Sequence, residues 1–261
     1  MPPVPDDAIC LRHYDWSETS QTVVLLTREH GLVRALAKGA KRARSSFSGG
    51  VELLSKADIQ LYVRTDKDLD LLGTWDLTDA HLHLRKDLRA LNSALYAADL
   101  VAHLLTAHDS HPKTFDALAQ TLTRLGDPAA VPGVLLDFQL ALLADTGLMP
   151  RFDADARTGE VLPNSPALGF DPDAGGLVPD PGPVEISKTR DPLDPGPSPW
   201  RVRRETITAI TEAERTDVQS VVRSIGLFNA WVATRIGRMP SSAAPCLDAL
   251  ARHAAAESKR S

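Results

Sequence analysis

Five cations within eleven residues, Arg34, Lys38, Lys41, Arg42 and Arg44, form the largest cluster of basic side chains in the sequence. From His30 through Val51 no Asp or Glu neutralises them, although acidic residues outnumber basic ones 34 to 29 over the whole chain. Guanidinium and ammonium groups at this density suit a polyanion, because they bind repeated phosphates without reading bases. A net charge of -5 confines any such binding to a local patch within an acidic surround. A loop kept charged for solubility has the same composition, so the pattern leaves phosphate binding and plain solvation both open.

Histidine offers the competing chemistry. His81, His83, His103, His108 beside Asp109, and His111 fall within about thirty residues, and a metal-dependent phosphohydrolase uses such groups as ligands. Their spacing opposes convergence. On a helix His81 and His83 point about 200° apart, His103 and His108 are five apart, and Pro112 interrupts the run at His111. There is no Walker loop, GxGxxG, HExxH or nucleophile elbow. Cys10 and Cys246 are too few and too far apart for a disulfide framework or a cysteine zinc site. The expectation is a protein without catalytic residues, metal or cofactor. The opening MPPVPDDAIC lacks a basic n-region and an apolar h-region, and no apolar run reaches spanning length. A soluble cytoplasmic protein without membrane contact is expected.

The elements that must carry these residues divide the chain in two, giving an α+β, two-domain fold. Residues 1–79 hold five short β-prone runs, Ala8 to His13, Thr22 to Thr27, Leu32 to Ala37, Ile59 to Val63 and Leu69 to Trp75. Glu29-His30-Gly31 makes a tight hairpin, with Gly31 free to take positive φ. Five strands in this length predict an OB-fold β-barrel, and the cations leave the third strand on a mobile loop. Tyr14, Trp16 and Phe47 are the aromatics near that loop. In an OB groove they are candidate stacking platforms, but aromatics of small barrels are mostly interior, so packing is the expected state of Tyr14 and Trp16.

After Asp79 the apolar period lengthens to about 3.6. Helices are predicted near 82–106, 112–125, 128–146 and 217–236, the last from a Thr216 cap. The first carries Leu84, Leu88, Leu91, Leu95, Ala98, Ala102 and Leu105 on its apolar stripe, with Arg85, Lys86 and Arg89 opposite. The third carries Val134, Leu135, Phe138, Ala141 and Leu142. The first three make a bundle onto which the last packs, and helical pattern also resumes over 201–211. Together they form an α-helical bundle domain over 80–250, interrupted at 150–200. Ten of the nineteen prolines lie between Pro163 and Pro199, so that insert is expected to be irregular, without a core of its own. A polar tail follows from 251 to 261.

Several segments resemble the RecO family of DNA repair and recombination mediators. Tyr14-Asp15-Trp16-Ser17-Glu18-Thr19-Ser20, Gly31-Leu32-Val33-Arg34 and Ala37-Lys38-Gly39-Ala40 are similar to its N-terminal signature. Phe138-Gln139-Leu140, Gly147-Leu148-Met149-Pro150, Ala174-Gly175-Gly176-Leu177 and Ile236-Gly237-Arg238-Met239-Pro240-Ser241 resemble its later elements in order. Many members carry a four-cysteine zinc site after the LxP element. The corresponding positions here hold Asp155, Thr158 followed by Gly159, and Pro179, so a degenerate, zinc-free region is expected.

The resemblance implies a non-catalytic mediator. Such a protein binds single- and double-stranded DNA, anneals complementary strands, contacts the single-strand-binding-protein tail, and with RecR assists loading of RecA. Arg34, Lys38, Lys41, Arg42 and Arg44 are then the DNA-binding residues, with Arg85, Lys86 and Arg89 as extensions. Arg124 and Arg151 are candidates to flank a site for the acidic tail. A protein-docking module whose basic loop meets an acidic partner, without direct DNA contact, is the alternative.

Overall fold

The computed structural model describes residues 2–42, 44–47, 49–64, 67–182, 198–215 and 217–259. The chain divides into two compact units, Met1–Val131 and Pro132–Ser261.

The first unit is built on a closed five-stranded barrel: β1 (Val4–Asp15), β2 (Gln21–Thr27), β3 (Gly31–Ala37), β4 (Lys56–Tyr62) and β5 (Asp70–Asp79), ordered β1-β2-β3-β5-β4. Only the β3–β5 pairing is parallel, and it closes the barrel through Asp70–Leu72. Alternation decides which side chains go in. Val23 and Leu25 of β2, and Val33, Ala35 and Ala37 of β3, join Ala8, Cys10, Ile59, Leu61 and Trp75 in the interior. Thr22, Val24, Arg34 and Leu36 therefore face outward. The β2–β3 hairpin is held by the buried Asp6 carboxylate, which accepts from the backbone N–H groups of Arg28, Glu29 and His30 and lies 2.6 Å from His30 Nδ1. Gly31 sits at φ +64, and a Cβ there would lie 1.7 Å from the Asp109 carbonyl oxygen, so no side chain fits.

The first helical stretch is broken rather than continuous. Leu82–Lys86 forms a 3₁₀ turn, Asp87 takes an extended conformation, and its carboxylate caps α1 (Leu88–Leu104) by accepting from Arg89 N at 2.7 Å. The break resets the helical phase. Leu88 is consequently exposed, and the buried face runs through Ala90, Ala94, Ala97, Leu100 and Val101. After α1, α2 (Pro112–Arg124) buries Phe115, Leu118 and Leu122, and Arg28 of the barrel pairs with its Asp116.

The second unit contains α3 (Val131–Asp145) from Pro132 onward, α4 (Arg204–Thr211), α5 (Val218–Ile236) and α6 (Ala243–Glu257). The first three predicted helices thus do not share one compact unit. α3 is apolar on most sides, so it buries Leu136 and Leu143 as well as the predicted stripe, while Ala141 is exposed. Asp217 caps α5, accepting from Gln219 N and Ser220 N. The expected Thr216 cap lies outside the described residues. α6 carries helix through residues read as a polar tail, with Cys246, Leu250 and Ala254 buried.

The proline-rich insert builds more than expected. β6 (Ala167–Asp171), β7 (Gly176–Val178) and β8 (Trp200–Arg203) form a three-stranded antiparallel sheet ordered β7-β6-β8. Phe170 stacks on Trp200 with centroids 5.6 Å apart and meets Trp231 edge-on, also at 5.6 Å. A few aromatics supply the core that aliphatic content alone did not suggest. Residues 183–197 of the insert lie outside the described residues.

Candidate nucleic-acid interface

Of the five predicted cations, Arg34 lies within β3 and the other four in the segment that directly follows it. Arg34 is on the outer face of β3, opposite Val24, which is in turn opposite Arg12 of β1. Arg12 is neutralised by Asp99 of α1, whereas Arg34 is exposed with no acidic partner among the described residues. Lys38, Arg42 and Arg44 are likewise exposed and unpaired among the described residues. Lys41 differs. Its Nζ lies 2.6 Å from Asp15 Oδ2, so part of its charge is already answered. Arg42 folds back over Gly39, where a Cβ would lie 3.5 Å from the arginine Cδ.

The described parts of the segment that carries them are bonded to the barrel at several points. Ala40 and Phe47 insert into the barrel core, at 0% and 3% exposure. At its start Gly39 N donates to Ser20 Oγ at 3.0 Å and Lys41 N to the Thr19 carbonyl at 3.1 Å. In the middle, Trp75 N donates to the Ser46 carbonyl and Ser46 Oγ to the Gly73 carbonyl, both at 3.0 Å. At its end the buried Gln21 amide pairs with Val51 as a strand neighbour would. It accepts from Val51 N at 2.9 Å and donates to the Val51 carbonyl at 3.4 Å. Mobility was expected from the Gly and Ser content, but apolar plugs and hydrogen bonds to the β1–β2 turn tie down the described parts of the segment.

That turn carries the aromatics. Trp16 and Tyr14 are 65% and 57% exposed, so the expected burial is wrong for both, while Phe47 is interior. The cause is strand parity: Tyr14 lies opposite Thr22, which lies opposite Leu36, a row on the outside of the barrel. Trp16 begins the turn itself, its N–H bonded to the Ser20 carbonyl at 2.9 Å. Reading residue types missed the anchors Thr19, Ser20 and Gln21. A polar amide at the first position of a strand, directly after a Ser-Glu-Thr-Ser run, is the signal that pointed to them.

The proposed extensions are largely compensated. Arg85 pairs with Glu52 at 2.5 Å and Arg89 with Asp87 at 2.9 Å, leaving Lys86 exposed. Arg124 ends α2, and Arg151 pairs with Asp153 at 3.0 Å. Three of the histidines meet backbone carbonyls. His81 Nδ1 meets the Leu54 carbonyl, His83 Nε2 the Leu122 carbonyl and His103 Nδ1 the Asp99 carbonyl, at 2.9, 2.9 and 2.7 Å. Burial lowers the His81 pKa, against the pull of Asp79 and the Leu54 carbonyl. Among the described residues no three His, Cys, Asp or Glu side chains converge as metal ligands, and no helix is long and apolar enough to cross a membrane. Asp155 accepts from Arg157 N at 2.9 Å.

Barrel, basic rim and helical second unit together define a two-domain α+β protein with an OB-like N-terminal domain. The family model described as recombination protein O, N terminal, matches residues 1–81, and that described as recombination protein O, C terminal, matches 85–188. The DNA repair protein RecO of Myxococcus xanthus (strain DK1622) is 33% identical over 236 residues, covering 89% of this chain and 92% of the relative. That of Anaeromyxobacter dehalogenans (strain 2CP-C) is 36% identical over 170 residues, 65% of this chain and 66% of the relative. The chain belongs to the RecO family.

Proposed function

We propose that this protein is a DNA-binding recombination mediator in DNA repair, and that the basic rim of its barrel holds the phosphate backbone. The observation that carries this reading is four exposed cations, Arg34, Lys38, Arg42 and Arg44, without acidic partners among the described residues and set on pinned backbone. Lys41 joins them when phosphate competes with Asp15 for its ammonium. Such contacts are nearly blind to sequence, which is what annealing of any two complementary strands requires. Single- and double-stranded DNA are both ligands for a surface of this kind. Assistance to RecA loading with RecR, and contact with the tail of single-strand-binding protein, follow from family membership and belong to the same proposal. No residue is assigned a catalytic role.

The test is binding of a labelled single strand across a salt series. Counterion release from about four phosphates gives a log–log slope of roughly -3 on single strands. The variant with Lys38, Lys41, Arg42 and Arg44 all changed to Ala is expected to lose most of that slope and most of its affinity. Equal binding by a folded variant would move the DNA contact elsewhere and favour the protein-docking alternative.

A further inference from the structure

Resting on that phosphate-binding reading, we infer that Trp16 and Tyr14 form a base-stacking platform beside the basic rim, making unpaired nucleotides the preferred ligand of this end of the barrel. Two large aromatic side chains, 65% and 57% exposed, lie within three residues of each other in a chain whose other three tryptophans are 1%, 6% and 4% exposed. Leaving them in water forgoes the burial that aromatic surface normally finds. The sites where it is kept are those that meet another molecule.

Position fixes which molecule. The end of β1 and the turn after it are bonded to the basic segment at three points: Asp15 to Lys41 Nζ, Thr19 carbonyl to Lys41 N, and Ser20 Oγ to Gly39 N. Tyr14, Thr22 and Leu36 form one outward row across β1, β2 and β3, so Tyr14 and Leu36 are two strand spacings apart, roughly 10 Å. Arg34 is two residues from Leu36 on the same outer face of β3, and Lys38 follows the end of that strand. Tyr14 and the unpaired Arg34 therefore share one outer surface, with Lys38 just beyond the end of β3 and the exposed Trp16 two residues after Tyr14. Asp15 and Glu18 are the acids next to the aromatic turn, and Asp15 is engaged by Lys41. An acidic peptide would use the cations but not two stacking faces. A duplex would present phosphates with its bases already stacked on one another. A single strand offers both phosphates and free π-faces, the combination used by sequence-tolerant single-strand binders.

The experiment compares the full chain with Trp16→Ala, Tyr14→Ala, Trp16→Phe and the four-cation variant. The probes are a mixed-sequence single strand, an abasic strand of equal length and a duplex, each across a salt series. Trp16→Ala is expected to weaken single-strand binding roughly tenfold, leave the salt slope unchanged and leave abasic-strand and duplex binding unaltered. Tyr14→Ala acts in the same direction, and Trp16→Phe retains most of the affinity. Intrinsic fluorescence supplies a second readout. The emission accessible to acrylamide belongs to Trp16, and the single strand, unlike the abasic strand, should quench it.

Unchanged single-strand affinity in both alanine variants, with the slope intact and the four-cation variant defective, would overturn the stacking platform and leave phosphate binding standing. An equal loss on the abasic strand would overturn it too, because the ring would then be acting on backbone geometry. Absence of salt-dependent binding by the wild type would remove the phosphate site and this inference together, and point to a protein partner for the aromatic hairpin.

Discussion

His81 shows how much one residue can be determined by its surroundings and how little by its type. It is 3% exposed, in left-handed backbone at φ 45, with Nδ1 2.9 Å from the Leu54 carbonyl. Burial pushes its pKa below the usual 6.5, and His83 and Lys56 add to that, while Asp79 and the Leu54 carbonyl oppose. The folded state thus prefers the neutral ring and the unfolded chain binds the extra proton. Its stabilising contribution is full above pH 6.5 and is lost progressively as the pH falls below that value. The melting temperature of the first unit is expected to drop between pH 7.5 and 5.5. The drop should shrink in His81→Asn, since Asn tolerates left-handed backbone and does not titrate. An identical pH dependence in the variant would place the sensitive group elsewhere. Read from the sequence, His81 belonged to a possible metal set. Its true partner, Leu54, is 27 residues away, a distance that composition and spacing cannot bridge.

At the scale of elements, the basic segment is tied to the barrel by bonds that come from other elements. Strand positions were legible, since Val23, Leu25, Val33 and Ala35 alternate with Thr22, Val24 and Arg34 as a half-buried sheet requires. The orientation of Tyr14 was not, because it depends on the pairing of Tyr14 with Thr22 across the hairpin. A β-bulge between Cys10 and Arg12 shifts that register. Nor was the stiffness of the segment legible, because it comes from Gln21 bonding Val51 thirty residues on. Gln21→Ala leaves the buried N–H and carbonyl of Val51 without that partner, and should lower stability by about 1–3 kcal/mol. It also releases one end of the cationic segment, so binding must then order it. Single-strand affinity is expected to fall severalfold at an unchanged salt slope, because the phosphates contacted are the same. Titrating wild type and variant side by side reads both effects. A reduced slope would mean that Gln21 governs which cations engage, not merely how firmly they are held.

At the scale of the whole molecule, the two units draw on different physics, and the second is where sequence reading fell furthest short. Proline content pointed to an interruption between helices, but it hid a sheet whose core is Phe170, Trp200 and Trp231. Below that core the Asp171 carboxylate does the joining. It is 4% exposed and accepts from Asp173 N and Ala174 N at 2.9 and 3.2 Å and from Arg157 at 2.5 Å. Burial alone would raise its pKa, but the Arg157 guanidinium and the two backbone donors outweigh it and hold the carboxyl below its usual 3.8. The contribution is therefore present above pH 3.8 and lost as the pH falls through the lowered value, well below the window in which His81 titrates. Arg157 also ties this carboxylate to the stretch that carries Asp155, Thr158 and Gly159. If this carboxylate–guanidinium hub holds the region without metal, the melting of the second unit, followed by near-ultraviolet signals of Trp200 and Trp231, should be indifferent to EDTA. It should be lowered by Asp171→Ala by about 1–3 kcal/mol, because Arg157 and two N–H groups lose their acceptor. Destabilisation by EDTA, or an Asp171→Ala protein as stable as the wild type, would show that something other than this hub closes the insert.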